Sequence, residues 1–173
     1  MAAGVTTLDA AKFTRSFHYK PYPAIDPLRP ELSQKGRTVL VTGGSDGIGF
    51  AIARALTKAS AARVIITGRR KEAIDLAVTK LKALQDGTII EGRINDFTDS
   101  SQTTTLWKSL GAEGIVVDVL AHNAALFSQA GKILERDIDL VWDEYRGNVR
   151  ATLDWIQKFH GQEERGVKNQ KVC

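Results

Sequence analysis

Apolar residues along the chain follow two alternating rhythms. In residues 38–42 (TVLVT) and 63–67 (RVIIT), β-branched apolar residues stand side by side, as in short strands buried on both faces. Between them Ile48, Ala51, Ile52, Ala55, Leu56 and Ala59 recur at helical spacing and predict one amphipathic helix. Residues 71–85 predict a second, with Ile74, Ala77, Val78, Leu81 and Leu84 on one face. Residues 87–95 (GTIIEGRIN) predict a third strand. Residues 99–110 predict a weaker helix, opened by the capping types at Thr98 to Ser100, and 115–123 (IVVDVLAHN) a fourth strand. A long helix is expected over 134–159, with Ile138, Val141, Trp142, Tyr145, Val149, Leu153 and Ile156 as its apolar stripe.

Strands alternating with helices specify an α/β fold: a doubly wound parallel sheet with right-handed crossovers and helices on both faces. Ligands of such sheets bind beyond the carboxyl ends of the strands, where the first strand-to-helix turn lies. All four prolines fall within residues 21–30 (PYPAIDPLRP), so residues 1–35 are expected to form an irregular arm whose Phe13, Phe17, Tyr19 and Tyr22 can pack on the domain. Residues 36–160 form the expected domain, and 161–173 a polar tail with little strand character.

Composition narrows the function classes. The 173 residues are 43% hydrophobic and 25% charged, as in an ordinary globular protein, and suffice for one domain. The net charge of +4 is spread along the chain, apart from Arg69-Arg70-Lys71, so no nucleic-acid partner is expected. Cys173 is the one cysteine, which fits a reducing compartment. The N-terminus lacks the apolar core of a secretory signal, and no apolar run approaches the roughly 20 residues of a membrane span. A cytoplasmic protein without a membrane partner is expected.

The chemistry gathers at residues 42–49, TGGSDGIG. A strand, a glycine-rich turn and a helix N-terminus aim free N–H groups and the positive end of the helix dipole at one point, which suits an anion. Gly43, Gly47 and Gly49 are spaced G-x-x-x-G-x-G, which is neither G-x-G-x-x-G nor a P-loop. Gly43 is expected to allow the tight turn, and Gly47 and Gly49 to let a pyrophosphate and the neighbouring strand come close. No metal site is expected. His122, His18 and His160 read as structural or surface residues.

TGGSDGIG resembles the cofactor motif of the short-chain dehydrogenases/reductases. Residues 118–125 (DVLAHNAA) are similar to that family's D-x-L-x-N-N-A-G stretch, with His122 in place of the first Asn and Ala125 in place of the Gly. Residues 94–99 (INDFTD) resemble the third-strand end, with Asp96 matching the Asp that contacts adenine. Residues 147–152 (GNVRAT) resemble the stretch carrying the active-site Asn, here Asn148. The arm resembles the leader of fungal members and so fits secondary metabolism. The resemblance runs from about residue 17 to residue 160. It implies a Rossmann-type sheet ordered 3-2-1-4, and cofactor contacts at Gly43, Ser45, Asp46, Gly47, Ile48, Gly49, Arg69, Asp96, Phe97, Asn123 and Ala124. It further implies a small carbonyl or alcohol substrate, and a homo-oligomer through helix 134–159.

The end of the second strand bears on which nucleotide is held. NAD sites place an acid there for the ribose hydroxyls, whereas an arginine accommodates a 2′-phosphate. Here Gly68 stands in the acid's place and Arg69 follows, which argues for NADP(H) over NAD(H). The alternative is that Arg69-Arg70-Lys71 only opens a solvated helix, and Asp46 is an acid where some NADP-binding members carry a basic residue. The family's proton chemistry uses a Ser and Tyr-x-x-x-Lys. Four residues beyond Tyr19, Tyr22 and Tyr145 stand Pro23, Asp26 and Val149, so Asn148 alone of the active-site set has a match. A truncated oxidoreductase is therefore expected, with an exposed fourth-strand edge. The alternatives are a cofactor-binding pseudoenzyme and a chain completed by a second polypeptide.

Overall fold

The computed structural model describes residues 18, 22–84, 87–127, 131–162 and 171–172. Its strands are β1 (Thr38–Thr42), β2 (Arg63–Gly68), β3 (Ile89–Ile94), β4 (Val119–His122) and β5 (Lys171–Val172). Its helices are α1 (Gly47–Lys58), α2 (Lys71–Lys82), α3 (Ser100–Ala112), α4 (Ile138–Tyr145) and α5 (Thr152–His160), with a π-helical segment, Arg146–Ala151, joining the last two. The sheet is parallel in the order β3-β2-β1-β4-β5. The expected 3-2-1-4 order is therefore present.

The consecutive apolar residues of β1 and β2 send side chains to both faces. Val39, Val41, Val64 and Ile66 pack with Ala53 of α1 and with Ile74, Ala77 and Leu81 of α2. Leu40, Ile65 and Leu120 face the other way, onto Leu106, Trp107 and Leu110 of α3 and Trp155 and Phe159 of α5. Trp155 is fully buried, and its Nε1 donates to the Phe97 carbonyl at 3.1 Å. Its apolar burial contributes about 3 kcal/mol.

Four sequence expectations are corrected. The buried face of α1 is Gly49, Ala53 and Thr57, while Ile48 is 75% exposed. Small residues bring the helix backbone against the sheet, and the larger ones flank the contact. The long helix starts at Ile138 instead of 134, and its sheet-facing residues are Gly147, Ala151, Trp155 and Phe159. The expected stripe points outward: Ile138 is 63%, Trp142 54% and Leu153 57% exposed. Periodicity finds an apolar stripe but cannot choose between two, and here small Gly147 and Ala151 permit the close approach. The fourth strand is shorter than expected, Val119–His122, and side chains satisfy backbone groups before it: Asp118 accepts from Thr38 N at 2.8 Å, and Gln162 brackets the Val117 N–H and carbonyl at 2.9 and 3.1 Å. The polar tail is not wholly irregular, since β5 pairs Lys171 and Val172 with Val119 and Leu120. Ladder bonds use backbone groups, so polar residues can join an available edge.

The described part of the arm holds two short 3₁₀ turns, Pro23–Ile25 and Pro30–Leu32, each starting on its proline. Gln34 N donates to Ala59 O at 2.7 Å and ties the arm's end to the end of α1. Phe13, Phe17 and Tyr19 lie outside the described residues.

Candidate cofactor site

The register sets Thr42 beside both Thr67 and His122, so β1, β2 and β4 end level and the following loops share one edge of the sheet. The chain leaves β1 through Gly43, whose φ of +65° is left-handed and favours glycine. Gly44 N donates to Thr67 O at 3.1 Å, and a Cβ at Gly44 would stand 2.7 Å from Ile66 Cγ2, so the turn lies flat on β2.

Asp46 caps α1, its carboxylate accepting from Gly47 N at 2.7 Å. That is the N-terminal role a short acid fills well against the helix dipole. Gly47 and Gly49 serve different ends. Gly47 has φ +53° and open space where a Cβ would stand. A Cβ at Gly49 would overlap the Gly43 carbonyl oxygen and lie 2.6 Å from Asn123 Nδ2. Gly49 therefore lets the helix close on its own turn and on β4, and Gly47 leaves the N-terminal approach clear. Ile48 projects into solvent beside that approach, and its N–H is among the first of α1, which have no partner within the helix.

Ser45 Oγ lies 3.3 Å from the position a Gly68 Cβ would take, which puts the turn beside the end of β2. Arg69 and Arg70 follow there, both exposed, and neither makes an ion pair among the described residues. Lys71 pairs with Asp75 at 2.5 Å, and this bond raises the lysine's pKa. Two guanidinium groups thus stand at the start of α2, against its dipole.

On the other side of β1, Thr42 is a hub that sequence reasoning missed. Its hydroxyl oxygen accepts from Asn123 N and Ala124 N, each at 3.0 Å, and lies 3.3 Å from His122 Nδ1. Asn123 Nδ2 donates to Thr42 O at 3.2 Å. A Cβ at Gly43 would come within 3.1 Å of Asn123 Nδ2 and 3.3 Å of Ala124 Cα, so Asn123 and Ala124 form the wall of the glycine turn. A strand-terminal Thr directly before Gly-Gly was the available signal.

At the end of β3, Asp96 accepts from Thr98 N and Oγ1 at 3.0 and 2.8 Å, closing a local turn. The Phe97 ring is buried in the core beside His122, at a centroid distance of 5.9 Å, so only its backbone is left to meet a ligand. Asn148 lies in the π-helical segment. Its Oδ1 accepts from Leu126 N and its Nδ2 donates to Leu126 O, both at 2.7 Å. This side chain is spent on fixing the segment after β4, and a Cβ on Gly147 beside it would lie 2.5 Å from Leu126 Cδ1, so a larger residue there would displace that leucine side chain. Asn148 is brought close to the loop after β4, not to the glycine turn.

Among the described residues no cluster of His, Cys, Asp and Glu is placed to hold a metal, and no helix is long and apolar enough to cross a membrane.

Residues 37–166 match the family model described as short chain dehydrogenase. The chain is 33% identical over 137 residues to a short chain dehydrogenase of Pseudocercospora fijiensis, covering 78% of this chain and 43% of that protein. It is 31% identical to the short chain dehydrogenase pigC of Monascus ruber, over 80% of this chain and 46% of that one. The fold superposes with a TM-score of 0.72 on the Pseudomonas aeruginosa RhlG/NADP active-site complex, at 28% identity over 83% of this chain and 56% of that one. The chain thus spans about half the length of the relatives it matches.

Proposed function

Because the chain belongs to the short-chain dehydrogenase family, whose members bind a nicotinamide cofactor, we propose that its glycine turn receives the pyrophosphate of NADP(H) and that Arg69 favours this cofactor over NAD(H). The observation that carries the reading is Gly47: left-handed, at the N-terminus of α1, with nothing within 4 Å of its Cβ position. A diphosphate can reach the Ile48 and Gly49 N–H groups there. Ser45, Asn123 and Ala124 wall the turn, and the backbone of Asp96 and Phe97 borders the adenine side. Arg69 follows β2 with glycine, not an acid, at position 68, which supports a role for it at a 2′-phosphate. The RhlG neighbour is itself an NADP complex by its title.

The whole protein is proposed to be an oxidoreductase that reduces a small carbonyl compound or oxidises the matching alcohol. The cofactor, when bound, supplies the hydride. Within these 173 residues the chain's own part is to bind and orient that cofactor, and Asn148 is a positioning residue through Leu126. The exposed stripe of Ile138, Trp142, Tyr145 and Leu153 is proposed as the surface on which copies associate.

Arg69→Ala tests the nucleotide reading. A charge-assisted bidentate contact contributes about 1.5–3 kcal/mol, so the dissociation constant for NADPH rises roughly 10- to 100-fold while that for NADH moves little. Equal changes for both would refute the role of Arg69.

A further inference from the structure

His122 takes no direct part in the cofactor reading, yet its ring is wired into the turn. The Thr42 hydroxyl has two lone pairs and one proton. Asn123 N–H and Ala124 N–H occupy both lone pairs. The hydroxyl proton then goes to the remaining neighbour, His122 Nδ1 at 3.3 Å. This network assigns the neutral tautomer with its proton on Nε2. Nε2 is buried without a partner among the described residues, and the ring lies among Phe97 and Trp155, at centroid distances of 5.9 and 5.8 Å. A second proton on this ring has no acceptor. It would point from Nδ1 at an oxygen whose lone pairs are both taken, and the Thr42 proton would lose its own acceptor.

We propose that neutral His122 is a positioning residue for the cofactor turn: it holds Thr42 in the orientation that clamps Asn123 and Ala124 against Gly43, and its protonation releases that clamp and weakens cofactor binding. The proposal rests on the cofactor reading above for its effect on binding, while the clamp itself stands on the hydrogen bonds alone. Burial lowers the His122 pKa, in the same direction. The charged groups on the elements around the ring are turned to other partners. Asp96 and Asp99, beside Phe97, hold Thr98 and the N-terminus of α3. Asp154 and Lys158, flanking Trp155, pair with one another. On β4, Asp118 caps Thr38 N. On the glycine turn, Asp46 caps Gly47. Among the described residues no carboxylate makes a hydrogen bond or ion pair with the His122 ring.

The test uses the whole chain and NADPH, with His122→Asn as the variant, since Asn keeps a short polar side chain but does not titrate. The 2′-phosphate titrates near pH 6 by itself, so the quantity read is the ratio of wild-type to variant dissociation constants. As pH falls from about 7.5 through the lowered His122 pKa, this ratio rises towards a limit of roughly tenfold, the size of one hydrogen bond to a charged group. Protection of the Asn123 and Ala124 amides against hydrogen exchange, corrected for the intrinsic rate and read without cofactor, falls over the same range in the wild type and stays flat in the variant. A ratio that does not change with pH, or equal protection profiles, overturns the proposal. If neither protein binds NADPH but the protection profiles diverge, the clamp stands and the cofactor reading falls. Should His122→Asn fail to fold, the imidazole nitrogen shifts of the unaltered chain decide: an unprotonated Nδ1 near neutral pH supports the clamp, and a protonated Nδ1 overturns it.

Discussion

Two glycines of one turn give opposite results under the same substitution. In Gly49→Ala the new methyl meets the Gly43 carbonyl and Asn123 Nδ2 at 2.6 Å. The first is backbone and cannot swing aside, so α1 must back away from β4 or the turn must reopen. Overpacking of this kind costs about 3 kcal/mol, at the upper end of its usual range. Gly47→Ala meets nothing within 4 Å, and its cost is that of holding alanine at φ +53°, about 1–2 kcal/mol. With a urea slope of about 2 kcal/mol/M, the midpoint falls by roughly 1.5 M for Gly49→Ala and by roughly 0.5–1 M for Gly47→Ala. Fluorescence of the buried Trp155 follows unfolding. Binding takes the reverse order relative to stability: Gly47→Ala places its methyl where the diphosphate must pass and loses most NADPH affinity while still folded. If Gly47→Ala were the less stable of the two, or if it bound NADPH like the wild type, the division of roles argued here would be wrong.

Three further outcomes follow from the same geometry. Asn148→Leu removes both bonds to Leu126 and leaves its N–H and carbonyl without those partners, which lowers unfolding free energy by about 2–3 kcal/mol in denaturant titration. Trp155→Leu strips the Phe97 carbonyl of its donor and opens a void beside Trp107, at a cost of about 3–4 kcal/mol. In the pH profile of stability, His122 has a folded pKa below its unfolded value, so its contribution is full above about pH 6.5 and is lost as pH falls through the folded value. His122→Asn flattens that limb, and an unchanged profile would remove His122 as its cause.

The order of elements was legible because β1 and β2 are short, continuous apolar runs and α1 and α2 carry clear helical spacing. The glycine turn was legible for the same reason, since TGGSDGIG sits between a strand and a helix that could each be recognised alone. What was not legible depends on partners distant in sequence. Gly47 and Gly49 look alike in the chain, and only Gly43 and Asn123, brought together by β1–β4 pairing, separate them. The helix after β4 offered two apolar stripes, and the choice fell to Gly147, Ala151 and Trp155 because Leu126 and the Phe97 carbonyl were waiting for them. Thr42 passed as one more strand residue until the register put it opposite His122.

Cofactor binding at the glycine turn is tested by titrating the chain with NADPH and following its backbone amide resonances. The largest shifts are expected on Gly47, Ile48, Gly49, Arg69, Phe97 and Ala124, and NADH is expected to move the same amides except for a weaker effect at Arg69. Shifts gathered elsewhere, or none at millimolar NADPH, would contradict it.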